Sequence, residues 1–524
     1  MRRLWRVVCL HQQPLRGTPN HHTREPSGEV FDGLAVAAAE NDGAVLLHAL
    51  LREAPGGVPA VLSRVRGPWA LVFWEARSGT LWFGRDVLGR RRCVLIGHGR
   101  SRPPPDVRAA RSLLHHAYRS LLLQRPRDSD ARLVLSSVAA PHDGRFDSHW
   151  VRPPVPPCSA AWLSATHCFQ PVSVAQEELP PGLYSVRPAI GVVSAHGWQA
   201  PQLLSLSAYT RAPAPVPVAS SACVDALLHA LDAAVARRVT NARRAPNTSQ
   251  SEASVLVLFS GGVDSALLAA LAHRHVPLTE PIDLANVCFS AGLSADRRAA
   301  HAALIELRAL APERTWRLLE VNAGLDDVAE HRPRLLHLLH PCHTVMDLNI
   351  GAALWLAARG SGTCGGAQLT SPARIVLLGT GADEQAAGYS RHRATFVRGG
   401  PLALAEELQA DVRRLWVRNL GRDDRLVSDC GREARFPFLD EDVMACLAQL
   451  PLEAVADLSL PAGEGDKRVL RQAARAVGLP DAARRVKRAI QFGCGVSHAA
   501  DVHAFGSGRA ANAHGGGKCS VLRV

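Results

Sequence analysis

Lysine is almost absent from this chain of 524 residues: three of its 60 basic residues are lysines, at 467, 487 and 518, and the other 57 are arginines. The net charge of +13 therefore comes from an arginine excess that accompanies abundant alanine, glycine and proline and is spread along the chain. Nucleic-acid binders gather such charge in a stripe or patch, so nucleic acid is not an expected partner. No C-x-x-C pair occurs among the 12 cysteines, which argues against a zinc site and against the disulfide framework of a small secreted domain. No apolar run approaches the ~18 residues that cross a bilayer, so no membrane partner is expected. Aromatics are few, at 5%, yet hydrophobic residues make up 47% and charged residues 20%, a composition that fits a globular chain of two to four domains. The first 24 residues hold five arginines and no acid, a bias seen in transit peptides. Arg6 interrupts the apolar stretch there; a cytoplasmic location is expected, with a mitochondrial one as the alternative.

Proline sets the organisation. RSRPPP and RPPVPPC bracket a helix-like stretch at 106–124, and residues 100–160 read as a long insertion. RAPAPVPVASS at 211–221 is the linker, because alternating proline propagates neither helix nor central strand. Past about 499 the sequence loses periodicity and reads as a disordered tail. This gives a first domain over 1–210 and a second over 222–498. The first alternates short β-like runs with turns, with PWALVFWEARSGTLWFGRD as a hairpin. In the second, VLVLF (255–259), ANVCF (285–289), WRLLEV (316–321) and RIVLLG (374–379) are separated by helical patterns at 264–275, 295–311 and 326–339. That alternation predicts an α/β fold with a doubly wound parallel sheet, whose ligands bind at the carboxyl ends of the strands.

SGGVDS follows the first of those strands. Gly261 and Gly262 let the backbone approach a ligand, and the helix that follows presents unpaired N–H groups to an anion. Ser260 and Ser265 add hydroxyl donors, and Asp264 can hold a magnesium ion against phosphates. The Gly-x-x-x-x-Gly-Lys loop of kinases and GTPases is missing. At 377–389 a second strand ends in LLGTGADEQAAGY, where Asp383 and Glu384 meet a helix start. Asp383 is expected to share the magnesium with Asp264 from the neighbouring strand end. In a chain with 57 arginines, the two lysines in GDKRVLRQAAR (465–475) and RRVKRAIQFGCG (484–495) stand out as chosen for a compact ammonium. Lys467 is expected to stabilise charge developing in the reaction and Lys487 to contact phosphate; as ordinary solvated helix residues both would lie exposed.

SGGVDS resembles the pyrophosphate loop of the ATP pyrophosphatases. GTGADE resembles the second signature of asparagine synthetases, GEGSDE, and GTGADEQAAGYSRHR is closer to the divergent asparagine synthetase domain-containing branch; REARFPFLDED (432–442) is similar to the family's RVPFLD. The first half resembles the class II glutaminase domain of these enzymes: Ser27-Gly28-Glu29-Val30-Phe31 stands where the family carries NGEI/V, Asp42 where it carries its glutamine-binding Asp, and Gly84-Arg85-Asp86 with Gly89-Arg90 matches its GRDxxGxR turn. The resemblance implies an N-terminal α/β/β/α sandwich of the Ntn type and a C-terminal domain of the PP-loop type. It implies that Phe259, Ser260, Gly261, Gly262, Val263, Asp264 and Ser265, with Leu378, Gly379 and Gly381, hold ATP and its pyrophosphate, with Mg2+ on Asp264 and Asp383. Aspartate would be adenylated on its side chain and attacked by ammonia, nominally from glutamine, giving asparagine, AMP and pyrophosphate.

Three positions depart from the family pattern. The family nucleophile is a Cys directly after the initiator Met; here Arg2 holds that place and Cys9 is the first cysteine. Ser27 replaces the Asn that donates to the oxyanion, and with Glu29 and Asp42 it leaves a glutamine-site-like remnant without expected glutaminase activity in the chain as written. Thr380 replaces the Glu that serves as base for the attacking ammonia, a task a hydroxyl cannot perform near neutral pH. The alternatives are a nucleotide-binding interaction protein without turnover and, behind it, a tRNA-modifying ATP pyrophosphatase. The oligomeric state stays open, a homodimer included.

Overall fold

The computed structural model describes residues 27–28, 42–52, 57–75, 80–86, 90, 95–99, 122–123, 130–135, 177–178, 182–187, 192–196, 221–240, 252–340 and 344–499. The chain divides into two compact units, one of Met1–Gln202 with Trp416–Arg425, the other of Leu203–Leu415 with Leu426–Val524.

Strands of the first unit are β1 (Ser27–Gly28), β2 (Trp69–Glu75), β3 (Thr80–Arg85), β4 (Leu95–Gly99), β5 (Leu122–Leu123), β6 (Asp130–Leu135), β7 (Glu177–Glu178), β8 (Gly182–Arg187) and β9 (Val192–His196). Five of them form an antiparallel sheet in the order β1-β2-β3-β8-β9, and β4-β6 and β5-β7 pair separately. The antiparallel β2–β3 pair is the hairpin expected from PWALVFWEARSGTLWFGRD. Trp69, Leu71 and Trp82 bury against Leu46 and Leu50 of the helix Asp42–Arg52 and against Val61 and Leu62 of the helix Val58–Arg64. Asp86 follows β3 directly: its carboxylate accepts from the Trp69 amide at 3.3 Å and from Arg90 Nε at 3.0 Å, the Asp86 and Arg90 side chains being buried. One expectation is corrected here. The helical reading of 106–124 fails at its end, because Leu122 and Leu123 pair with Glu178 and Glu177 as a strand; an apolar leucine run carries no period that separates the two states. The rest of that stretch lies outside the described residues.

The first described element of the second unit is the helix Ser221–Val239, whose first residue is the last one assigned to the linker. Its strands are β10 (Val255–Leu258), β11 (Ile282–Cys288), β12 (Trp316–Asn322), β13 (Ser361–Cys364), β14 (Ala367–Thr370), β15 (Ile375–Leu377) and β16 (Glu433–Arg435), in the order β14-β13-β12-β11-β10-β15-β16. From β12 to β16 every neighbouring pair is parallel. β10 and β15 are apolar throughout because both their faces are covered, while the polar residues of β11, Asp283 and Asn286, are buried with hydrogen-bond partners. Val255 and Val257 join one apolar cluster with the helices Ser221–Val239, Val263–His275 and Ala295–Leu310. Leu256, equally buried, alternates to the other face, and the helix Val345–Ala358 packs on β10 and β11.

The parallel expectation needs one correction. β13 and β14 add an antiparallel edge that joins β12. The connection is a two-residue turn through Gly365 (φ 58°) and Gly366 (φ 88°), and two positive φ values in a row make the tight hairpin that only antiparallel strands can use.

β11 and β12 lie on one side of β10, while β15 and β16 lie on the other. The chain order therefore reverses at β10. The crevice outside the carboxyl ends of β10 and β15 is the position where open α/β sheets take ligands, and both motif loops leave the sheet there.

Candidate functional site

The loop after β10 is shaped by two glycines with different tasks. Gly261 has φ +75°, and a Cβ there would lie 2.3–2.4 Å from the backbone of Ala299 and Ala300, so neither conformation nor space admits a side chain. Gly262 is extended and caps the helix Val263–His275, whose first amides have no intrahelical acceptor. Its own N–H donates to Ser260 Oγ at 3.3 Å, and Ser265 Oγ donates to the Gly262 carbonyl at 3.2 Å. The Ser265 hydroxyl is therefore engaged within the turn. Phe259 is buried, donating its amide to the Ala285 carbonyl at 2.8 Å and accepting from Asn286 Nδ2 at 2.8 Å, so the loop springs from a fixed strand end.

The loop after β15 sits beside it. Leu378 is buried, and a Cβ on Gly379 would stand 3.1 Å from the Asp264 Cβ, a measure of how narrowly the two strand ends are set. Thr380 is half-buried in the turn, and Gly381 (φ +102°) opens the short helix Ala382–Gln385 against Leu439. Asp383 lies in the first turn of that helix. Glu384 is buried and differs in role: Oε2 accepts from the Gly381 amide at 3.1 Å and Oε1 accepts from the Tyr389 hydroxyl at 2.5 Å. Burial and then the charge of Asp383 raise its pKa, and burial with the Glu384 contact pushes the Tyr389 hydroxyl well above 10.

Lys467 joins the two loops. Its side chain is 1% exposed, its φ is +53°, and its amide donates to the Ala386 carbonyl at 2.8 Å. Nζ donates to Asp264 Oδ2 at 2.5 Å and stands 2.7 Å from Asp383 Oδ1, an ion contact without hydrogen-bond angles. Lys487 Nζ lies 3.3 Å from Asp383 Oδ2 and 4.2 Å from the centre of the Tyr389 ring. Burial alone would lower the Lys467 pKa; the carboxylates of Asp264 and Asp383 reverse that and raise it. Burial works to raise Asp383, and Lys467 with Lys487 more than offsets it, holding the carboxyl below the usual range. For Asp264 burial, with the charge of Asp383, outweighs Lys467 and the weaker field of Lys487, and the pKa is raised. Asp264 Oδ1 is buried without a hydrogen-bond partner, and Asp383 Oδ1 has only the ion contact. Two such oxygens from neighbouring strand ends fit a hard divalent cation.

Most of the residues expected from sequence thus meet at one place, and Lys467 is a buried centre instead of a solvated helix face. Ser27 and Gly28 form β1 and Asp42 begins a helix, while Glu29, Arg2 and Cys9 lie outside the described residues. Several contributors escaped the sequence reading. Gly388 faces the cluster so closely that a Cβ would stand 1.9 Å from Asp383 Oδ1 and 2.3 Å from Lys467 Cε. Tyr389 lies under Lys487, and its amide donates to His392 Nδ1 at 3.3 Å while His392 Nε2 meets Asp411 at 2.8 Å. His392, Asp411 and Glu407 could together present three metal-type ligands, but Arg391 pairs with both carboxylates and Arg414 with Asp411, so guanidinium groups already fill that role. Asp296, in the first turn of the helix after β11, has a pKa pushed up to about 7 by burial against the opposing fields of Arg488 and Lys487.

Residues 226–403 and 397–505 match the family model described as Asparagine synthase. The chain is 34% identical over 568 residues to the Asparagine synthetase domain-containing protein 1 of Gallus gallus, covering 89% of this chain and 84% of that protein. It is 35% identical over 539 residues to the protein of the same name in Bos taurus, with 89% and 83% covered. Against the Asparagine synthetase domain-containing protein CG17486 of Drosophila melanogaster the identity is 37% over 263 residues, 47% of this chain and 45% of that protein.

Proposed function

The chain belongs to the asparagine synthase family, and from that premise we propose that it is an ATP-dependent carbon–nitrogen ligase of the PP-loop type that adenylates a carboxylate, in the first instance the side chain of aspartate, releasing pyrophosphate. The observation that carries this reading is the buried Lys467 ammonium held between Asp264 and Asp383 at adjacent strand ends. A charge so placed, beside a glycine loop with open amides, suits anionic oxygens on ATP. Mg2+ would supply charge neutralisation on the phosphates, and Asp264 and Asp383 are the residues that would hold it. Gly261 and Gly262 let backbone amides approach the pyrophosphate. Lys467 stays protonated through the reaction and stabilises negative charge without moving a proton, while Lys487, aligned on the Tyr389 ring, extends that positive field towards the crevice mouth.

A second reading has its own support. Thr380 stands where the resemblance expects a base, and Glu384, the acid next in the motif, is committed to Gly381 and Tyr389. A protein that binds nucleotide and lacks turnover fits those two facts.

ATP–pyrophosphate exchange with magnesium, run across amino-acid acceptors with and without ammonia, tests both. Aspartate-dependent exchange that disappears in Asp264→Ala is expected. Tight nucleotide binding with no exchange for any acceptor overturns the ligase in favour of the second reading.

A further inference from the structure

Arg485 reaches the phosphate loop from the same extended segment that carries Lys487. Residues 485–489 alternate half-buried and exposed: Arg485, Lys487 and Ala489 turn in, while Val486 and Arg488 turn out. In extended backbone, residues two apart share a face, so one short arm presents a guanidinium to the loop after β10 and an ammonium to the loop after β15. Arg485 Nη1 donates to the Gly261 carbonyl at 2.7 Å, and Lys487 stands 3.3 Å from Asp383.

The carbonyl that Arg485 grips belongs to a Gly-Gly peptide, the least constrained link in a chain. Glycine takes positive and negative φ with similar ease, so the Gly261–Gly262 plane has little intrinsic reason to keep one orientation. In a planar trans peptide the C=O and N–H point in opposite directions. With the Gly261 carbonyl held by Arg485, the Gly262 N–H points the other way, towards the exposed Ser260 hydroxyl at 3.3 Å. A flipped peptide would turn the carbonyl oxygen to the open side of the loop, where it would repel a phosphate.

The arm is itself braced. Glu306, nearly buried on the helix Ala295–Leu310, accepts from the amides of Asp481 at 2.7 Å and Ala482 at 2.9 Å, and its Oε2 lies 3.4 Å from Arg485 Nη2. Arg471, fully buried, donates to the carbonyls of Ala483 at 2.9 Å and Arg485 at 2.8 Å, and its Nε donates to the Asp466 carbonyl at 2.6 Å, one residue before Lys467. The backbone leading into Arg485 is thus held by Glu306 and Arg471, and Glu306 also meets the Arg485 guanidinium.

Building on the nucleotide reading above, we propose that Arg485 is a positioning residue, a latch that holds the Gly261–Gly262 peptide in the orientation that accepts the pyrophosphate portion of ATP. Its action is on phosphate, through the loop, and not on the nucleoside. The test titrates the full chain with inorganic pyrophosphate and magnesium, with Mg-ATP and with adenosine, for the wild type, Arg485→Ala and Arg485→Lys, thermal midpoints being recorded alongside. Arg485→Ala is expected to weaken pyrophosphate and Mg-ATP by about tenfold, the scale of one hydrogen bond to a charged donor, and to leave adenosine unchanged. Arg485→Lys, which keeps a cation but loses the fork, is expected to fall between. Unchanged pyrophosphate affinity in both variants overturns the latch alone. Loss of adenosine in step with pyrophosphate also overturns it, since a general collapse of the site does that. A wild-type chain that takes up neither pyrophosphate nor Mg-ATP overturns the nucleotide reading and the latch with it.

Discussion

Removing the ammonium of Lys467 while keeping its length, as in Lys467→Met, should expose the electrostatics of the site directly. Nζ lies 2.5 Å from one carboxylate oxygen and 2.7 Å from another. At an effective dielectric of about 20, each contact is worth ~6 kcal/mol before desolvation is counted. Burying the ammonium takes back much of that sum, and removal of one partner from a buried ion group costs about 3–5 kcal/mol. For a unit of this size we expect the thermal midpoint to fall by roughly 6–20 °C at pH 7.5, at about 2–4 °C per kcal/mol. The pH dependence identifies the cause. Asp383 keeps Lys487 at 3.3 Å, whereas Asp264 loses its cation and still faces Asp383, so its folded pKa in the variant lies above the unfolded one. A raised carboxylate destabilises above its folded pKa, and the penalty is relieved as pH falls through that value. The deficit should therefore shrink at pH 5, and Asp264→Asn added to Lys467→Met should recover most of the stability at pH 7.5. Scanning fluorimetry of the three proteins at both pH values suffices. A Lys467→Met midpoint within about 2 °C of wild type, or a deficit that deepens on acidification, would refute the argument.

Gly388→Ala places a methyl group against Asp383 and Lys467; overpacking of about 1–3 kcal/mol at the charge cluster is expected to suppress ATP–pyrophosphate exchange at least ~10-fold while the chain stays folded, as judged by its melting curve. Asp296, with a folded pKa of about 7 against an ordinary 3.8, binds its proton more tightly when folded, so it costs stability progressively as pH rises from about 4 to 7. Asp296→Asn should therefore gain on wild type by up to ~4 kcal/mol between pH 4 and pH 8 in urea unfolding, and parallel pH profiles would rule this out. Gly366 has φ +88° with open space where a Cβ would stand, so Gly366→Ala should cost only the left-handed backbone penalty of about 1–2 kcal/mol, measurable as a small fall in the urea midpoint, and Gly366→Asn less.

The sheet of the second unit was readable because strands covered on both faces are mostly apolar and recur between helical patterns: VLVL, IDLANVC and WRLLEVN become β10, β11 and β12. β13 and β14 were not, since SGTC and AQLT lie at a partly exposed edge where no apolar pattern is demanded. The doubled glycine between them was the available clue. Within the site, rarity decided what could be seen. Lys467 and Lys487 stood out against 57 arginines, whereas Arg485, which touches the loop after β10, and Arg471, which fastens its arm, were hidden by that same abundance. Gly388 and Tyr389 lay inside a motif already noticed, but their task is set by packing against Asp383, Lys467 and Lys487, and no spacing in the chain announces that.

The residues retained and lost divide along the two halves of the proposed reaction. Forming an acyl adenylate requires an ionised carboxylate, which aspartate already supplies at neutral pH, together with cationic stabilisation of phosphate; Asp264, Asp383, Lys467 and Lys487 provide the groups for this and take no proton. Forming the amide requires a proton to leave the attacking nitrogen. Thr380 cannot accept it, Glu384 is held by the Tyr389 hydroxyl at 2.5 Å and the Gly381 amide at 3.1 Å, and Asp264 and Asp383, each in contact with Lys467, are the carboxylates that would hold Mg2+. The ligase reading therefore carries an unequal expectation: aspartate-dependent exchange of pyrophosphate should be readily measured, while asparagine released per exchange event should be scarce with ammonia and should rise when Thr380→Glu restores a carboxylate at that turn. Exchange accompanied by equally rapid asparagine release in the unaltered chain would mean that another group accepts the proton, and Asp296, with a pKa of about 7, is then the first residue to replace.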